Sequence, residues 1–304
     1  MTTVSLYWNH VCVLHNEEKR FLTKVQQALR EQDIDLQIRF FGLGYPCHMA
    51  SYMAQEDAVL PDMVISTDLE MFELPLHFAR LGALHACESW LPLKDIPFAQ
   101  ALKRKPTLLP FVGIPLVCFT TDLAHCQQKT LADMAQCEGF TFGGVHNSAG
   151  KTIAKVTWQE YGMDTLQQLL ANANIENMPI AAFQAVRQGR AVTALVPSLY
   201  AMRADGVHTH QLTLKEGALM LPSYFACRKS VSEDVGKTVM HAIINETLCQ
   251  IYANQGNLFI CPAIETHTKV ETQLEKVIAV KQDFLDTADL ETFYQVYENR
   301  FQTR

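Results

Sequence analysis

Apolar and polar positions follow two different periods near the start of the chain. The segment Thr3 to Trp8 alternates as a strand does. Apolar residues then recur at helical spacing, at Phe21, Leu22, Val25 and Leu29. Asn16 precedes this helical stretch, and we expect its side chain to cap the helix. Two further strands are predicted at Asp35 to Phe41 and at Met63 to Ser66. Strands that alternate with helices in this way predict a parallel sheet.

Two longer apolar runs divide the rest of the sequence, Gly113 to Leu123 and Gly217 to Lys229. Each contains one proline, which a strand accommodates only where no ladder donor is needed. We interpret the two runs as crossings between two α/β lobes. The chain then leaves a first lobe at the earlier run, builds a second lobe, and returns at the later run. A cleft with a hinge is the expected consequence.

The segments on either side of the return crossing complete the prediction. Between the crossings, Phe140 to Phe142 predicts a strand, and the loop Gly143 to Gly150 leads into a long helix. After the return, Ser232 to Asn254 predicts one long helix. The segment Lys269 to Arg304 predicts C-terminal helices that pack onto the first lobe.

Three segments carry a resemblance to a known family: Pro61 to Glu70, Gly113 to Leu123, and Gly217 to Lys229. They resemble a strand end and the two crossings of type II solute-binding proteins of ABC transporters, a group that includes ferric-ion and anion binders. The resemblance implies an α/β, two-lobed type II periplasmic-binding-protein-like fold, with mixed sheets, helices on both faces and a hinged cleft. It places residues 1–115 and 223–304 in the first lobe, and 116–222 in the second.

The same resemblance implies a function. The expected role is that of a solute-binding protein without catalysis, which binds a small anionic or metal-containing ligand by hinge closure and meets an ABC permease, as a monomer. The paired adjacent tyrosines that ferric binders often use are absent from the sequence, which argues against free ferric iron. The alternative function is an intracellular enzyme or ligand sensor on the same fold, using Cys and His residues of the cleft.

Composition and charge argue against some classes of binding partner and indicate the cellular compartment. A chain of 304 residues with 48% hydrophobic residues is long enough for two domains. A net charge of −7 without a basic cluster argues against nucleic acid, and no apolar segment approaches the roughly 20 residues of a membrane helix. The N-terminus lacks a signal-peptide pattern, and nine scattered cysteines predict reduced thiols. These features predict a cytoplasmic protein, or a periplasmic or extracellular one if the true N-terminus is missing.

Ligand contacts are expected in the loops that follow parallel strands, where helices begin with free amides. Short polar side chains in these loops can bind a ligand or only cap a helix, and the two interpretations are about equally favoured by the pattern. The candidates are Asn9, His10, Ser66, Thr67, Asp68, Asn147, Ser148, Ala149, Ser198 and Tyr200. We read Asp68 as a cap of its own helix, because a carboxylate would repel an anion.

The run Ser148 to Thr152 has the Gly-Lys-Thr end of a phosphate-binding loop. That loop requires a glycine where this sequence has Val145, while Gly144 lies one residue too early, so the register fails. A helix start with Lys151 nearby can still receive an anion through its amides.

Thiols and imidazoles are concentrated in the loops after the first two strands. Beside His10, the candidate ligands for a transition metal are Cys12, His15, Cys47 and His48. Their spacing matches no established metal motif, and packing is the alternative explanation, which the residue types favour. No catalytic set of residues is identifiable from the sequence.

Overall fold

A computed structural model describes residues 1–145, 147–266 and 276–302 of the chain. Within these residues the strands are β1 (Thr2–Asn9), β2 (Ile34–Phe41), β3 (Met63–Ser66), β4 (Leu109–Thr120), β5 (Phe140–Gly143), β6 (Asn174–Glu176), β7 (Thr193–Pro197), β8 (His210–Leu212), β9 (Ala218–Cys227), β10 (Phe259–Ile260) and β11 (Val277–Ile278).

The helices are α1 (His15–Arg30), α2 (Met49–Met53), α3 (Glu70–Glu73), α4 (Pro75–Arg80), α5 (Pro97–Ala101), α6 (Leu123–Cys126), α7 (Leu131–Met134), α8 (Ser148–Asn172), α9 (Pro179–Arg187), α10 (Ser198–Ala201), α11 (Glu233–Ile243), α12 (Glu246–Gly256), α13 (Gln282–Thr287) and α14 (Leu290–Gln302). Single 3-10 turns occur at Cys12–Leu14 and Cys87–Ser89.

The chain forms two compact units, and each of them is discontinuous in sequence. Among the described residues, the first unit contains 1–113 and 222–266, and the second contains 114–145, 147–221 and 276–302. The two changes of unit fall inside β4 and β9, which are the two long apolar runs of the sequence. Every residue of both strands is buried, which explains why their sequences show no alternation.

In the first unit, the predicted parallel sheet is confirmed for β1, β2 and β3. β1 lies between β2 and β3 and is parallel to both, while β9 is antiparallel to β3 on its other side. The apolar face of α1 is buried as its helical spacing predicted. The predicted cap is wrong, because α1 begins at His15 and Asn16 lies within its first turn.

In the second unit, β7 is antiparallel to β4 and parallel to β5, which in turn is parallel to β6. The long helix α8 begins after β5, as predicted, and is interrupted at Gly162, where φ is +83° and a side chain would be strained. The predicted single helix over 232–254 is instead α11 and α12, because α11 ends at Ile243 and the Asn245 side chain caps the start of α12.

The C-terminal helix α14 belongs to the second unit, so the prediction that it packs onto the first lobe is wrong. Its aromatic side chains cover α8: the ring of Phe293 stacks on Trp158 with centroids 5.8 Å apart. Tyr297 Oη donates a hydrogen bond of 3.1 Å to the Gly144 carbonyl. The part of the predicted C-terminal segment at 269–275 and 303–304 lies outside the described residues.

Candidate functional site

The start of α8 in the second unit is one predicted ligand site. Asn147 precedes the helix in an extended conformation, and its Oδ1 accepts a hydrogen bond of 2.8 Å from the Ala149 amide. Asn147 is therefore a helix cap, which was one of its two predicted roles. Ser148 and Ala149 follow in the first turn, and both are buried.

Gly150 explains why the sequence resembles a phosphate-binding loop without being one. A Cβ atom at this position would lie under 3.0 Å from Tyr297 Oη, so the glycine makes room for a side chain of α14. The glycine thus serves packing within the second unit. This contact involves residues nearly 150 positions apart, and the local sequence carries no sign of it.

Two lysines follow on the same face of α8, four residues apart. The Lys155 side chain is fully buried and Lys151 is 4% exposed. Lys151 Nζ lies 3.5 Å from Glu298 Oε1, and Lys155 Nζ donates to Tyr294 Oη at 3.2 Å. Both ammonium groups also lie within 5.5 Å of the centre of the Tyr294 ring. Lys155 was not among the residues predicted from the sequence, although it lies one helical turn after Lys151.

The loop after β3 in the first unit was the second predicted helix start. Ser66 Oγ accepts from the Asp68 amide at 2.8 Å, and Asp68 Oδ2 accepts from the Ala50 amide at 2.9 Å. The prediction that Asp68 caps its own helix is therefore wrong, since it binds the first turn of α2. The helix that follows, α3, has four residues and no side-chain cap, so it offers little helix dipole.

The other candidates in this group lie as follows. Thr67 is half-buried beside the buried Ser66, and Asn9 is half-buried at the end of β1. In the second unit Ser198 and Tyr200 are buried in α10. Their roles as ligand contacts stay predictions.

A cluster of ionisable side chains lies between β1 and α1 in the first unit. One ligand atom from each of His10, His15 and Glu18 lies within 4.8 Å of the other two. The His10 and His15 rings are 4.0 Å apart between centroids. His10 and Glu18 are buried, whereas His15 is half-buried. Two of these residues were sequence candidates, and Glu18 was missed.

Hydrogen bonds fix the three side chains of this cluster. His10 Nε2 lies 3.0 Å from the Leu43 carbonyl, and His15 Nε2 lies 3.2 Å from Tyr45 Oη. Glu18 Oε1 accepts from the Val11 amide at 3.1 Å and from Tyr252 Oη.

Burial governs the protonation of the cluster. Loss of hydration raises the pKa of the Glu18 carboxyl to about 7, against the opposing effect of the Tyr252 hydroxyl. Burial, with a smaller contribution from the neighbouring His15, lowers the pKa of His10 to about 4. The pKa of His15 is lowered by burial and then by Lys19. Both imidazoles are therefore neutral near pH 7, the form that binds metal ions.

The remaining thiol and imidazole candidates lie outside this cluster. Cys12 and Cys47 are half-buried, and His48 precedes α2 as its cap residue without a side-chain cap bond. Among the described residues, none of the three joins a group of three or more potential ligands. The structure describes all nine cysteines, and each is a free thiol.

Comparison with known proteins identifies the fold. The ferric binding protein from Campylobacter jejuni is 13% identical with a TM-score of 0.68, covering 98% of this chain and 99% of that one. Iron-bound HitA from Pseudomonas aeruginosa is 16% identical, with a TM-score of 0.65 and coverage of 98% and 99%. A periplasmic thiamin binding protein is 13% identical, with a TM-score of 0.64 and coverage of 98% and 96%.

No protein-family model and no curated relative matches the chain. The near-complete structural likeness nevertheless shows the mixed α/β fold of two-lobed type II periplasmic binding proteins, as the sequence predicted. Identities of 16% or less establish the fold and leave the ligand open. Across the part of the chain that the structure describes, no helix is long and apolar enough to cross a membrane.

Proposed function

We propose that this protein is the solute-binding component of an ABC-type transport system. The observation that supports the proposal is the full-length likeness to solute-binding proteins, which covers at least 98% of this chain in each of the three comparisons. A fold alone does not fix a function, so the proposal needs support from the chemistry of the site. Its partners in this proposal are a small solute and a permease, and the protein itself is a monomer.

The start of α8 supports a solute with a negative charge or a strong hydrogen-bond acceptor. Asn147 satisfies one amide of the first turn, and the helix dipole adds partial positive charge at this end. Lys151 and Lys155 follow within the next two turns, where Glu298 partly compensates the charge of Lys151 and the Tyr294 hydroxyl holds Lys155. This helix start belongs to the second unit. The helix start after β3 in the first unit is weaker, because α3 is one turn long.

Calorimetric titration with a panel of small anions, cations and neutral solutes tests this class of solute. If Ser148 donates to a charged group of the solute, then Ser148→Ala should weaken binding by roughly 1.5 to 3 kcal/mol, or about one to two decades. The matched control is Ser232→Ala. Ser232 also stands at a helix start, but its Oγ accepts from the Val235 amide as a cap of α11.

We expect the control variant to bind the solute as the wild type does, because Ser232 has only a capping role in the proposal. Ser66→Ala tests the first unit in the same way. A neutral or cationic solute that binds both Ser66→Ala and Ser148→Ala with wild-type affinity would show that these helix starts are only capped ends.

Transport also requires that the permease distinguish the loaded protein from the empty one. We propose that solute binding closes a hinge at the two unit changes, within β4 and β9. Small-angle scattering with and without the solute found by calorimetry checks this step, and the radius of gyration should fall on binding. An unchanged radius at saturation would contradict closure while leaving solute binding itself intact.

A further inference from the structure

Unsatisfied polar atoms are concentrated between β1 and α1. Eight buried side-chain nitrogen or oxygen atoms of the described residues have no hydrogen-bond partner, and four of them come from Trp8, His10, His15 and Glu18. These four atoms are Trp8 Nε1, His10 Nδ1, His15 Nδ1 and Glu18 Oε2. The Trp8 indole N–H is close enough to the Glu18 carboxyl to lower its pKa, although the pair falls outside hydrogen-bond geometry. Buried polar atoms are nearly always paired, so such a concentration within 11 residues requires an occupant or a function.

The partners of the other ring nitrogens leave lone pairs free for an ion. The Leu43 carbonyl can only accept a hydrogen bond, so His10 Nε2 carries the proton and its Nδ1 has a lone pair. This arrangement, in which one ring nitrogen donates to a carbonyl while the other is bare, is the usual arrangement of a metal-binding histidine. Glu18 Oε2 is a carboxylate oxygen on a side chain that is 0% exposed.

The backbone also holds the site in place. A Cβ atom at Gly42 would lie 2.9 Å from two atoms of the His10 ring, so this glycine makes room for the ring. Gly42 has φ of +116°, which an ordinary side chain rarely adopts. On the other side, Tyr252 and the Val11 amide hold Glu18 Oε1, which leaves Oε2 as the outer oxygen.

We propose that the first unit binds one divalent transition-metal ion through His10 Nδ1, His15 Nδ1 and Glu18 Oε2. Two imidazoles and one carboxylate are a ligand set for zinc and its neighbours, while magnesium and calcium prefer oxygen ligands alone. One potential ligand atom from each of the three residues lies within 4.8 Å of the other two, and metal–ligand distances of about 2.0 to 2.2 Å require the ligands to approach by roughly another ångström. Binding therefore requires the half-buried His15 side chain, together with the two buried side chains, to move toward the ion.

Neighbouring charges do not oppose the ion strongly. Lys19 is the nearby cation, with its ammonium group 5.4 Å from the centre of the Phe40 ring and 5.6 Å from that of Tyr45. Its side chain is exposed, so solvent and salt screen its repulsion. The rival occupant is an ordered water molecule, which could also satisfy two or three of the unpaired atoms. The proposal stands independently of the transport role, because it concerns residues of one unit.

Titration of chelator-stripped protein with zinc chloride separates the two occupants. We expect one zinc site per chain, and we expect His15→Gln and Glu18→Gln each to weaken it at least about tenfold. Glu17→Gln is the matched control on the same helix, since Glu17 is not part of the cluster. His85→Gln is the matched histidine control, because His85 Nε2 lies 2.9 Å from a backbone carbonyl, that of Val231, outside the cluster.

Three results would overturn the proposal. The first is a wild-type protein that takes up no zinc under these conditions, which would favour water as the occupant. The second is an unchanged zinc affinity in His15→Gln. His15 is half-buried, so we expect this variant to fold even if Glu18→Gln does not. The third is loss of zinc in Cys12→Ser or Cys47→Ser with full binding in His15→Gln, which would assign the metal to thiols instead.

Discussion

The substitution Gly150→Ala tests the packing of α14 against the start of α8. The new Cβ atom would lie under 3.0 Å from Tyr297 Oη, and 2.8 and 3.1 Å from the carbonyl oxygens of Gly144 and Gly143. Overpacking of this kind costs about 1 to 3 kcal/mol. An exposed glycine in a helix would instead gain about 1 kcal/mol on replacement by alanine. Because three atoms crowd the site, we expect a net loss of about 1 to 2 kcal/mol in the free energy of unfolding.

A double-mutant cycle with Tyr297→Phe identifies the contact responsible. The single Tyr297→Phe variant loses the hydrogen bond to the Gly144 carbonyl, which we expect to cost about 1 kcal/mol. In the double variant the hydroxyl is gone, so part of the overlap at Gly150 is relieved. The two effects should therefore fall short of additivity by about 1 kcal/mol.

Urea unfolding followed by tryptophan fluorescence is the assay for this cycle. Trp158 stacks on Phe293 of α14, so its emission reports on the second unit. The other two tryptophans, Trp8 and Trp90, lie in the first unit and are replaced by phenylalanine in the background protein. A stabilising effect of Gly150→Ala, or strict additivity with Tyr297→Phe, would refute the docking of α14 on α8.

Two further predictions concern buried hydrogen bonds of the first unit. At about pH 8.5, above the pKa of about 7 of the Glu18 carboxyl, Tyr252→Phe removes a donor from a charged carboxylate and should cost about 1.5 to 3 kcal/mol. Tyr224→Phe removes a bond to a neutral carbonyl and should cost about 1 kcal/mol. If the two variants lose equal amounts of unfolding free energy, in thermal and in urea unfolding, the result would contradict a charge-assisted bond from Tyr252 to Glu18. Asp68→Ala leaves the Ala50 amide without its acceptor and should destabilise the protein by about 1 kcal/mol, while an unchanged unfolding midpoint would show that this contact contributes nothing.

The sequence predicted the elements that depend on local patterns. The strands β4 and β9 are continuous apolar runs, and the unit changes fall inside them, after Gly113 and Leu221. The start of α8 was also predicted from a local pattern, because Asn147 follows a short apolar strand and precedes a helical stretch. Each of these features is encoded by its own short, contiguous stretch of sequence.

Contacts between segments that are distant in sequence could not be predicted from such local patterns. The amphipathic pattern of α14 predicts a helix with one buried face, but nothing in it identifies α8 as the surface that covers Phe293 and Tyr297. Asp68 illustrates the same limit on a smaller scale. Its carboxylate had two helix starts within reach, and only the positions of α2 and α3 decide that it binds the Ala50 amide.

Glu18 was missed although the sequence carried a signal. It belongs to the charged run Glu17 to Arg20, which is typical of a solvated helix face. Its helical phase indicates the opposite, since Leu14, Glu18 and Leu22 are four residues apart and all three are buried. A carboxylate in phase with an apolar face is a buried charge, and buried charges require partners. This rule would have identified Glu18 as a buried carboxylate that requires partners.

Native mass spectrometry with a panel of small solutes tests the central claim of solute binding without catalysis most directly. We predict that one solute adds to the chain with a stoichiometry of one to one, remains bound through buffer exchange, and is released chemically unchanged when the protein is denatured. A released molecule of altered mass would support the enzyme alternative. A protein that retains no member of a panel of anionic, cationic and neutral solutes would contradict the claim.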